Sequence, residues 1–470
     1  MFIAREKELT VLQETYTKPG FQMTVIYGRR RIGKSRLITE FIKDKRAAYY
    51  VAAKTSLEDN VRKWGRQFIE DTAPDLAGVE FNDLENFFRF VGNSCRDEKL
   101  ILALDEIPYI AESDASFLSR FQVAIDTVLA TKNIYLIISG SAISFMEKEI
   151  LSEKSPIFGR RTNQILLQPF DYLDSAKFVP HYSAEEKAIV YGVTGGVAKY
   201  LTLFDDSLSL DRNLIKHYFD TSGYLYEEPL NLLSQEFRTV NTYNSVIEAC
   251  AGGANKVNEI SDRTHESTAT LSYVLKNLMT IGVISKVHAI TDEKNKKKVS
   301  YEITDGMYRF WYRFIPGAKA AIEMDRGELY YNKYVKDKLH EYMGEIFEYI
   351  CRHYVLLKGL DGELNCMVTN TGKWWGPGHD RKPTDIDVVG IDVISNQAIL
   401  GECKFKNEPI DKAVYDALMA RRGLIDKKYD EVQYMFFSLS GYSEWVKENA
   451  DGSKDKLLTL EDLYRNDSRK

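Results

Sequence analysis

The sequence predicts a multidomain α/β protein, and three observations support this. Residues 23–42 read as a buried strand, a glycine-rich loop and a helix, in that order. Residues 100–104 and 134–138 are continuous apolar runs, the pattern of parallel strands that are covered by helices on both faces. After residue 338 the pattern changes to helix, two strands, helix and strand, which indicates a second α/β domain. The 470 residues leave room for about three domains.

Composition excludes several classes of protein. Hydrophobic residues make up 44% of the chain and charged residues 28%, which is typical of globular proteins rather than disordered ones. No apolar run reaches the ~18 residues of a membrane-spanning helix, and the charged N-terminus differs from a signal peptide. The five cysteines form no CxxC pair, which argues against a disulfide scaffold or a cysteine zinc site. We therefore expect a cytoplasmic protein, and the net charge of −6 restricts nucleic-acid binding to a local basic surface.

The loop after the first strand has the spacing GxxxxGKS. The glycines let backbone N–H groups curl around phosphate groups, and the next helix directs its positive end toward them. We expect Lys34 to reach the β- and γ-phosphates and the Ser35 hydroxyl to bind Mg²⁺. The loop therefore predicts ATP and Mg²⁺ as cofactors. The predicted nucleotide-contacting residues are Gly28, Arg29, Arg30, Arg31, Ile32, Gly33, Lys34, Ser35 and Arg36.

Polar residues follow the other two apolar strands. Asp105 and Glu106 end the first of them, and we expect Asp105 to hold the magnesium shell and Glu106 to polarise the attacking water. Ser139 ends the second strand, where it either senses the γ-phosphate or caps a turn. Further along, Arg160 and Arg161 are candidates for an arginine finger that acts in cis or across a subunit boundary. The alternative for this arginine pair is a solvated basic turn.

Residues 1–235 resemble the archaeal-type ATPase family of the signal-transducing P-loop NTPases, which are relatives of AAA+ proteins. The resemblance rests on the opening FIAREKEL, the loop GRRRIGKS, the Asp-Glu strand end, a Gly-Arg-Arg stretch and the later TGGVAKYL. It implies that the opening segment, with Arg5, lies over the adenine and that a helical lid follows the ATPase core. Ala198 stands where the lid motif of the family has proline. Relatives of this class often assemble when ATP is bound, which implies a homo-oligomer.

Residues 238–315 predict a winged helix–turn–helix. Three short helices precede a β-hairpin, and the third helix carries apolar residues at positions i, i+3, i+4 and i+7 from Leu271. In DNA-reading winged helices the third helix enters the major groove and the hairpin loop contacts phosphates. The alternative is a connector that binds no DNA. The candidate DNA contacts are Thr268, Thr270, Ser272, Tyr273 and Lys276 on the helix, with Lys294, Lys296, Lys297 and Lys298 on the loop.

The segment after the hairpin is rich in aromatic residues. Residues 305–314 read DGMYRFWYRF, and exposed rings of this kind can stack on nucleic-acid bases. We expect them instead to pack the winged helix against its neighbours. Residues 316–337, which begin with Pro-Gly, are predicted to connect the winged helix to the last domain.

Residues 338–470 predict a nuclease-like domain with the PD-(D/E)xK pattern. Asp387 lies in one strand, and the motif Glu402-x-Lys404 lies in the next strand after 14 intervening residues. Glu402 and Lys404 are expected to point the same way, because alternate residues of a strand share a face. If the two strands pair, Asp387 and Glu402 can share a Mg²⁺ or Mn²⁺ ion, and Lys404 can activate the attacking water. Glu345 on the preceding helix is the predicted additional metal ligand.

The same region resembles a domain of unknown function that is fused behind the archaeal-type ATPase and is regarded as a relative of PD-(D/E)xK nucleases. This resemblance implies metal-dependent chemistry on phosphodiesters. The matching residues are Gly344-Glu345-x-Phe347-Glu348, Trp374-Trp375, Asp385-Ile386-Asp387-Val388-Val389 and Gly401-Glu402-x-Lys404.

The leading hypothesis is an ATP-regulated enzyme in which a slow ATPase switch controls a DNA nuclease. One alternative is an ATP-dependent DNA-binding regulator whose nuclease-like domain is inactive, and another is a signalling ATPase scaffold that binds no nucleic acid. The predicted domains are an ATPase core at 1–174, a helical lid at 175–237, a winged helix at 238–315, a linker at 316–337 and a restriction-endonuclease-like domain at 338–470.

Overall fold

The computed structural model describes residues 2–95, 98–292 and 299–465. These residues form two compact units. The first unit extends through Pro169 and includes Val197–Lys199, and the second comprises Phe170–Gly196 with the chain from Tyr200 onward. Within the described ranges, no helix combines the length and the apolar character needed to cross a membrane.

A five-stranded parallel sheet forms the centre of the first unit. Its strands are β1 (Gln22–Tyr27), β2 (Ala47–Val51), β3 (Leu100–Asp105), β4 (Ile134–Gly140) and β5 (Asn163–Leu166), in the spatial order β2-β3-β4-β1-β5. The helices of this unit are α1 (Glu6–Thr17), α2 (Lys34–Ile42), α3 (Leu57–Thr72), α4 (Leu84–Ser94), α5 (Pro108–Ser113), α6 (Phe117–Thr127) and α7 (Ile143–Phe145). Strands β3 and β4 are buried along their whole length, so their continuous apolar runs are covered on both faces.

The strand order determines where the polar strand ends meet. Because all five strands run parallel, their carboxyl ends lie along one edge of the sheet. Gly28 follows β1, Asp105 ends β3, and Ser139 lies near the end of β4, which runs between those two strands. The predicted parallel α/β sheet is confirmed.

The second unit begins with helices and a small hairpin. The first helices are α8 (Tyr172–Ala176), α9 (Ala184–Thr194), α11 (Leu210–Tyr218) and α12 (Glu228–Glu236). The short helix α10 (Ala198–Leu201) begins in residues of the first unit and ends in the second. Next come α13 (Val240–Ala251), α14 (Val257–Thr264), α15 (Thr268–Thr280) and the antiparallel strands β6 (Ile284–His288) and β7 (Val299–Ile303). Helix α15 buries the four residues that its spacing marks as apolar, namely Leu271, Val274, Leu275 and Leu278.

Two helices lie within residues 306–334, where the sequence predicts packed aromatic residues followed by a linker. They are α16 (Gly306–Glu323), which continues through Pro316, and α17 (Gly327–Tyr334). The aromatic residues of α16 are mostly buried, and the Trp311 indole N–H donates to the Tyr226 carbonyl at 2.5 Å. The rings therefore pack inside the unit, as predicted. The expected linker at 316–337 is instead largely helical, because the buried first half of α16 anchors a helix that runs past Pro316.

The C-terminal part contains a second five-stranded sheet. Its elements are α18 (Leu339–Leu360), β8 (Asn370–Pro377), β9 (Pro383–Asp392), β10 (Gln397–Lys404), α19 (Lys412–Met419), β11 (Asp430–Ser438), α20 (Glu444–Asn449), β12 (Asp455–Thr459) and α21 (Leu460–Arg465). The order is β12-β11-β10-β9-β8, antiparallel from β8 to β10 and parallel from β10 to β12. Val355 of α18 packs on Gly390 of β9, and Leu418 of α19 belongs to a core cluster with Leu400 of β10. Glu402, near the end of β10, therefore lies in a largely buried sheet, and Asp387 is half-buried on the neighbouring strand β9.

Candidate nucleotide site and carboxylate cluster

The loop between β1 and α2 has the backbone shape of a phosphate cradle. Gly28 has a φ of 148°, and a Cβ at this position would lie 2.5 Å from the Leu167 carbonyl oxygen. Gly33 has a φ of 97° and precedes the first residue of α2. Arg31, between them, also has a positive φ of 70°. A short loop in which left-handed residues are interspersed with others can turn several backbone N–H groups toward one concave surface, which favours anions.

The side chain of Lys34 is bonded to the backbone of this loop. Its Nζ donates to the Gly28 carbonyl at 3.0 Å and to the Arg29 carbonyl at 3.1 Å, and the residue is buried. A compact ammonium group with loop carbonyls as partners can exchange them for phosphate oxygens with little movement. The structure thus places Lys34 where the sequence motif requires a phosphate ligand.

Asp105 is the centre of a hydrogen-bond network at the end of β3. Its Oδ2 accepts from the Ser35 hydroxyl at 2.5 Å and from the Tyr49 hydroxyl at 2.7 Å, and its Oδ1 accepts from the Ser139 hydroxyl. Asp105 is only 1% exposed. Ser35 and Asp105 therefore present two adjacent oxygens, the donor type that Mg²⁺ prefers, and these residues fit a magnesium ion. The Ser139 hydroxyl is therefore bonded to Asp105 as part of this network.

Tyr49 is a site residue that the sequence reasoning missed. It lies on β2, and burial, followed by the neighbouring Asp105 charge, raises the pKa of its phenol. The phenol therefore remains a hydrogen-bond donor to Asp105 at physiological pH. The sequence indicates this contact only weakly, because Tyr49 precedes Asp105 by 56 residues and belongs to an ordinary half-buried strand.

Glu106 adopts an uncommon backbone conformation beside Asp105. Its φ is 56°, a left-handed value that costs free energy for a residue with a Cβ. Its Oε2 accepts from the backbone N–H of Ser141 at 3.1 Å and from the Ser141 hydroxyl at 2.8 Å. Ser141 therefore holds the predicted water-polarising carboxylate in place, a role that the sequence did not reveal.

The arginines that were predicted to contact the nucleotide have different partners in the structure. Arg5 donates to the Gln168 carbonyl at 2.6 Å and to the Ile32 carbonyl at 3.4 Å. It is therefore bonded to the backbone of the phosphate loop at Ile32. Arg160 binds Asp126 through two hydrogen bonds of 2.9 and 2.7 Å and lowers the pKa of that carboxyl.

Other arginines near the loop have neighbours of their own. Arg161 donates to the Leu151 carbonyl at 2.9 Å. Arg30 donates to the Tyr109 hydroxyl at 3.0 Å, and Arg36 lies 3.8 Å from Glu40. The finger hypothesis for Arg160 and Arg161 stays a prediction.

The TGGVAKYL motif contacts the loop through residues that belong to the first unit. The backbone N–H of Lys199 donates to the Arg31 carbonyl at 3.1 Å. A Cβ at Gly33 would lie 3.6 Å from the Ala198 methyl group. Ala198 thus stands beside the phosphate loop, at the position where the resembling family has proline.

The second candidate site lies where the end of β10 runs beside the middle of β9. Their antiparallel register places Gly401 opposite Val388, so Glu402 and Asp387 follow as neighbours on the two strands. Glu402 is 4% exposed. Its Oε1 lies 2.7 Å from the Lys404 ammonium group, and its Oε2 lies 2.5 Å from the Arg421 guanidinium group.

The surroundings of Asp387 shift the pKa of its carboxyl group. Its Oδ2 accepts from the Cys403 backbone N–H at 3.0 Å. Burial, and then the charges of Glu402 and Glu348, raise the pKa of the Asp387 carboxyl to about 7. A carboxyl group whose pKa is raised by burial and by neighbouring charges is a frequent feature of functional sites.

Glu345 requires a correction. Its side chain is 66% exposed and pairs with Arg309 at 3.2 Å, so the structure does not support it as a metal ligand. The carboxylate on α18 whose charge raises the pKa of Asp387 is that of Glu348. Burial raises the pKa of Glu348 as well. Glu348 pairs with Arg352 at 3.2 Å, and Arg352 donates to the Asp387 carbonyl at 2.8 Å. The motif contained both acids, and the rotation of α18 determines which of them faces the sheet.

The predicted metal set of Glu345, Asp387 and Glu402 does not form. Among residues 2–95, 98–292 and 299–465, no group of three or more His, Cys, Asp or Glu side chains is arranged to hold a metal ion. Both carboxylate oxygens of Glu402 are already bonded to cationic side chains. In this conformation the residues do not fit a divalent ion.

The candidate DNA-contacting residues fall into two groups. Thr268, Ser272, Tyr273 and Lys276 are exposed on α15, and Thr270 is half-buried. Lys294, Lys296, Lys297 and Lys298 lie outside the described residues. The hairpin also contacts β8, because Lys373 pairs with Glu302 at 2.7 Å and accepts a hydrogen bond from Ile290 at its carbonyl oxygen. These contacts join the hairpin to the C-terminal sheet.

The raised pKa of Asp387 makes stability depend on pH. A carboxyl with a raised pKa in the folded state binds its proton more tightly there than in the unfolded chain, so the stability present near pH 4 is lost as pH rises through about 7. We expect the contribution of Asp387 to the free energy of unfolding in EDTA to fall by roughly a few kcal/mol over this range. Asp387→Asn should remove most of this slope and the exposed Asp385→Asn should keep it, as measured by denaturant titrations at several pH values. An unchanged slope in Asp387→Asn would contradict the assignment.

Residues 2–204 match an ATPase domain found predominantly in Archaea, and residues 311–415 match a family of archaeal and bacterial proteins of unknown function. An uncharacterized protein of Methanocaldococcus jannaschii is 28% identical over 465 residues, which cover 98% of this chain and 100% of that protein. An uncharacterized ATP-binding protein of the same organism is 37% identical over 46 residues, which cover 10% of this chain and 78% of that protein.

A Walker-type ATPase of Pyrococcus abyssi has a similar fold, with a TM-score of 0.52 and 20% identity over 66% of this chain and 96% of that one. The resemblance to archaeal-type ATPases is thereby confirmed, whereas the winged helix and the nuclease-like character of the last domain stay predictions. The chain carries an ATPase domain of the archaeal type at residues 2–204, and residues 311–415 match a family of unknown function.

Proposed function

We propose that this protein is a switch ATPase that binds ATP with Mg²⁺ and hydrolyses it slowly. The observation that carries the proposal is the 2.5 Å hydrogen bond between Ser35 and Asp105, which joins the phosphate loop to the end of β3. Glu106 stands next to this pair and is held by Ser141. A phosphate cradle, a pair of magnesium-type oxygens and a positioned carboxylate are the parts that phosphoryl transfer to water requires.

Each residue then has a distinct task. Lys34 would exchange the loop carbonyls for the β- and γ-phosphates and neutralise their charge. Ser35 and Asp105 would hold Mg²⁺, which supplies further neutralisation of the phosphates when it is bound. Glu106 would orient the attacking water and accept its proton, since Ser141 fixes the carboxylate. In line with the ATPase class, we propose that ATP binding also promotes a homo-oligomer.

We also propose that the C-terminal domain acts on DNA phosphodiesters. The observation that favours this is the placement of Asp387, in the middle of β9, beside Glu402 and Lys404 at the end of the paired strand β10. Burial of a carboxylate costs free energy unless charged or hydrogen-bonding partners offset the cost, and Asp387 keeps a raised pKa beside the paired Glu402. Residues 238–315 would present DNA as a winged helix, through the exposed polar face of α15. Such a protein would work in the cytoplasm, where ATP and nucleic acid are both present.

The alternative is an ATP-dependent DNA-binding regulator with an inactive nuclease-like domain. It is favoured by the two cationic partners of Glu402, which leave that carboxylate no unbonded oxygen in this conformation. The scaffold hypothesis without nucleic acid differs in its predicted response to salt, since phosphate contacts make DNA binding steeply salt-dependent.

One experiment separates these proposals. Full-length protein is incubated with supercoiled and single-stranded DNA in Mn²⁺, with and without ATP, while phosphate release is followed in parallel. We expect ATP hydrolysis together with DNA cleavage whose rate changes when ATP is added. Hydrolysis without cleavage under any condition would favour the regulator, and the absence of both activities would contradict the ATPase proposal.

A further inference from the structure

Two segments of the C-terminal domain carry a local excess of positive charge. They are the turn between β8 and β9, residues 378–382, and the stretch between α19 and β11, residues 420–429. Together they contain six lysine and arginine residues against two aspartates, in a chain whose net charge is −6. These six residues are named the basic rim and are Arg381, Lys382, Arg421, Arg422, Lys427 and Lys428. Arg421 is half-buried, and the other five are exposed.

Hydrogen bonds join the two segments into one surface. The His379 Nε2 atom of the turn is 2.9 Å from the Arg422 carbonyl oxygen in the other segment. Arg421 donates to the Thr384 hydroxyl on β9 at 3.2 Å. The two parts of the basic rim are therefore neighbours in the folded domain, although about 40 residues separate them in the sequence.

The surface of the two segments is charged without an apolar centre. The Arg422 guanidinium group lies over the Tyr434 ring, 5.2 Å from its centroid, and the Lys428 ammonium group lies 4.7 Å from the centroid of Tyr429. Both rings are themselves buried, so they support the cations from below. Within the two segments, all of whose residues are described, no large hydrophobic side chain is exposed.

We propose that the basic rim binds the phosphate backbone of double-stranded DNA. The inference rests on the proposed action of this domain on DNA, and it concerns a surface other than helix α15. Exposed cations without an apolar centre suit phosphate groups, whereas a stable interface with a protein needs aromatic or apolar anchors at its centre. A local concentration of positive charge on an acidic chain also attracts a polyanion to this one surface.

The basic rim borders the carboxylate cluster through Arg421. The guanidinium group of Arg421 is 2.5 Å from Glu402, so its charge is already paired. The phosphate contacts are therefore assigned to the five exposed members of the rim. A phosphate backbone that lies on them would pass beside Glu402 and Asp387, with every ion pair of the cluster left in place.

The first test measures binding of a short DNA duplex to the full-length protein in EDTA, by fluorescence anisotropy at several salt concentrations. Two double variants each remove two exposed cations without touching the cluster. One combines Lys427→Gln with Lys428→Gln, and the other combines Arg381→Asn with Lys382→Gln. Asparagine is chosen at position 381 because Arg381 has a φ of 66°, a left-handed value that asparagine adopts more readily than most residues.

Each double variant should bind the duplex about tenfold more weakly than the parent at about 0.1 M salt. The slope of log affinity against log salt concentration should become shallower by about two, because each lost phosphate contact removes about 0.9 from it. The matched control combines Lys319→Gln with Lys333→Gln, which removes the same charge from exposed positions on α16 and α17. This control should keep the affinity and the slope of the parent. An unchanged slope in either double variant of the rim, or an equal change in the control, overturns the proposal.

Further arms of the experiment identify the partner. A duplex of unrelated base sequence should lose the same affinity in each variant, because phosphate contacts carry no sequence information, and a loss that depends on base sequence overturns the assignment. A parent that binds a poly-glutamate peptide through the rim but binds no DNA would also overturn it.

Cleavage of DNA is assayed separately, so that this inference and the proposed nuclease can fail independently. Weaker and less salt-dependent DNA binding in the rim variants, with no cleavage by the parent, would support the inference while contradicting the nuclease. Cleavage by the parent together with unchanged DNA binding in the variants would support the nuclease and overturn the inference.

Discussion

Lys34→Ala is expected to reduce ATP binding and hydrolysis to background. The ammonium group is buried and bonded to the carbonyls of Gly28 and Arg29, in the position where phosphate oxygens would lie. Removing it leaves the phosphates without a cation inside the loop, and loss of one such preorganised donor typically costs roughly a hundredfold or more in rate. The measurement is titration with a fluorescent ATP analogue together with the rate of phosphate release. Hydrolysis at the parental rate in Lys34→Ala would contradict the assignment of this loop.

Glu106→Gln is the matched control for that prediction, because it should separate binding from chemistry. The amide keeps the size of the side chain and its contact with Ser141, so nucleotide binding should stay close to that of the parent. Hydrolysis should be lost, since an amide cannot accept the proton of the attacking water. A variant that fails to bind nucleotide would show instead that Glu106 supports the loop, as its left-handed backbone also allows.

The sequence predicted the parts of the nucleotide site that are local in the chain. The loop spacing locates Lys34 and Ser35, and an apolar strand that ends in Asp105 locates its partner, because these features depend on a few consecutive residues. Tyr49 and Ser141 could not be found in this way. Their roles depend on which strands are neighbours in the sheet, and single-residue patterns do not encode that order.

The same distinction holds in the C-terminal domain. Strand alternation and the hairpin between β9 and β10 placed Asp387 beside Glu402, since their register follows from a short turn. The choice between Glu345 and Glu348 depends on how α18 is rotated against the sheet, and a three-residue spacing leaves that angle open. Arg421 lies 19 residues after Glu402 in a turn with no motif, so only the packed structure brings the two together.

The largest effect on stability is expected from Glu402→Ala. This change removes the carboxylate between Lys404 and Arg421 and leaves both cations without their shared partner at a mostly buried position. Removing one partner of a buried ion pair typically costs about 3–5 kcal/mol, because the remaining charge loses both water and its partner. We expect the free energy of unfolding of the C-terminal part to fall by that order, as followed by the fluorescence of Trp374 and Trp375 in urea.

Two further variants determine whether the loss comes from charge or from packing. Glu402→Gln keeps the volume of the side chain and one acceptor oxygen, so it should recover part of the stability while still losing any Mn²⁺-dependent cleavage. Glu408→Ala, at an exposed position soon after the same strand, should change stability by less than about 0.5 kcal/mol. If Glu402→Ala were as stable as the parent, the cationic partners would have water nearby, and the buried ion-pair cluster described above would be wrong. If Glu402→Gln were as unstable as Glu402→Ala, the charge itself would hold β10 and the end of α19 together, and catalysis and folding would depend on the same carboxylate.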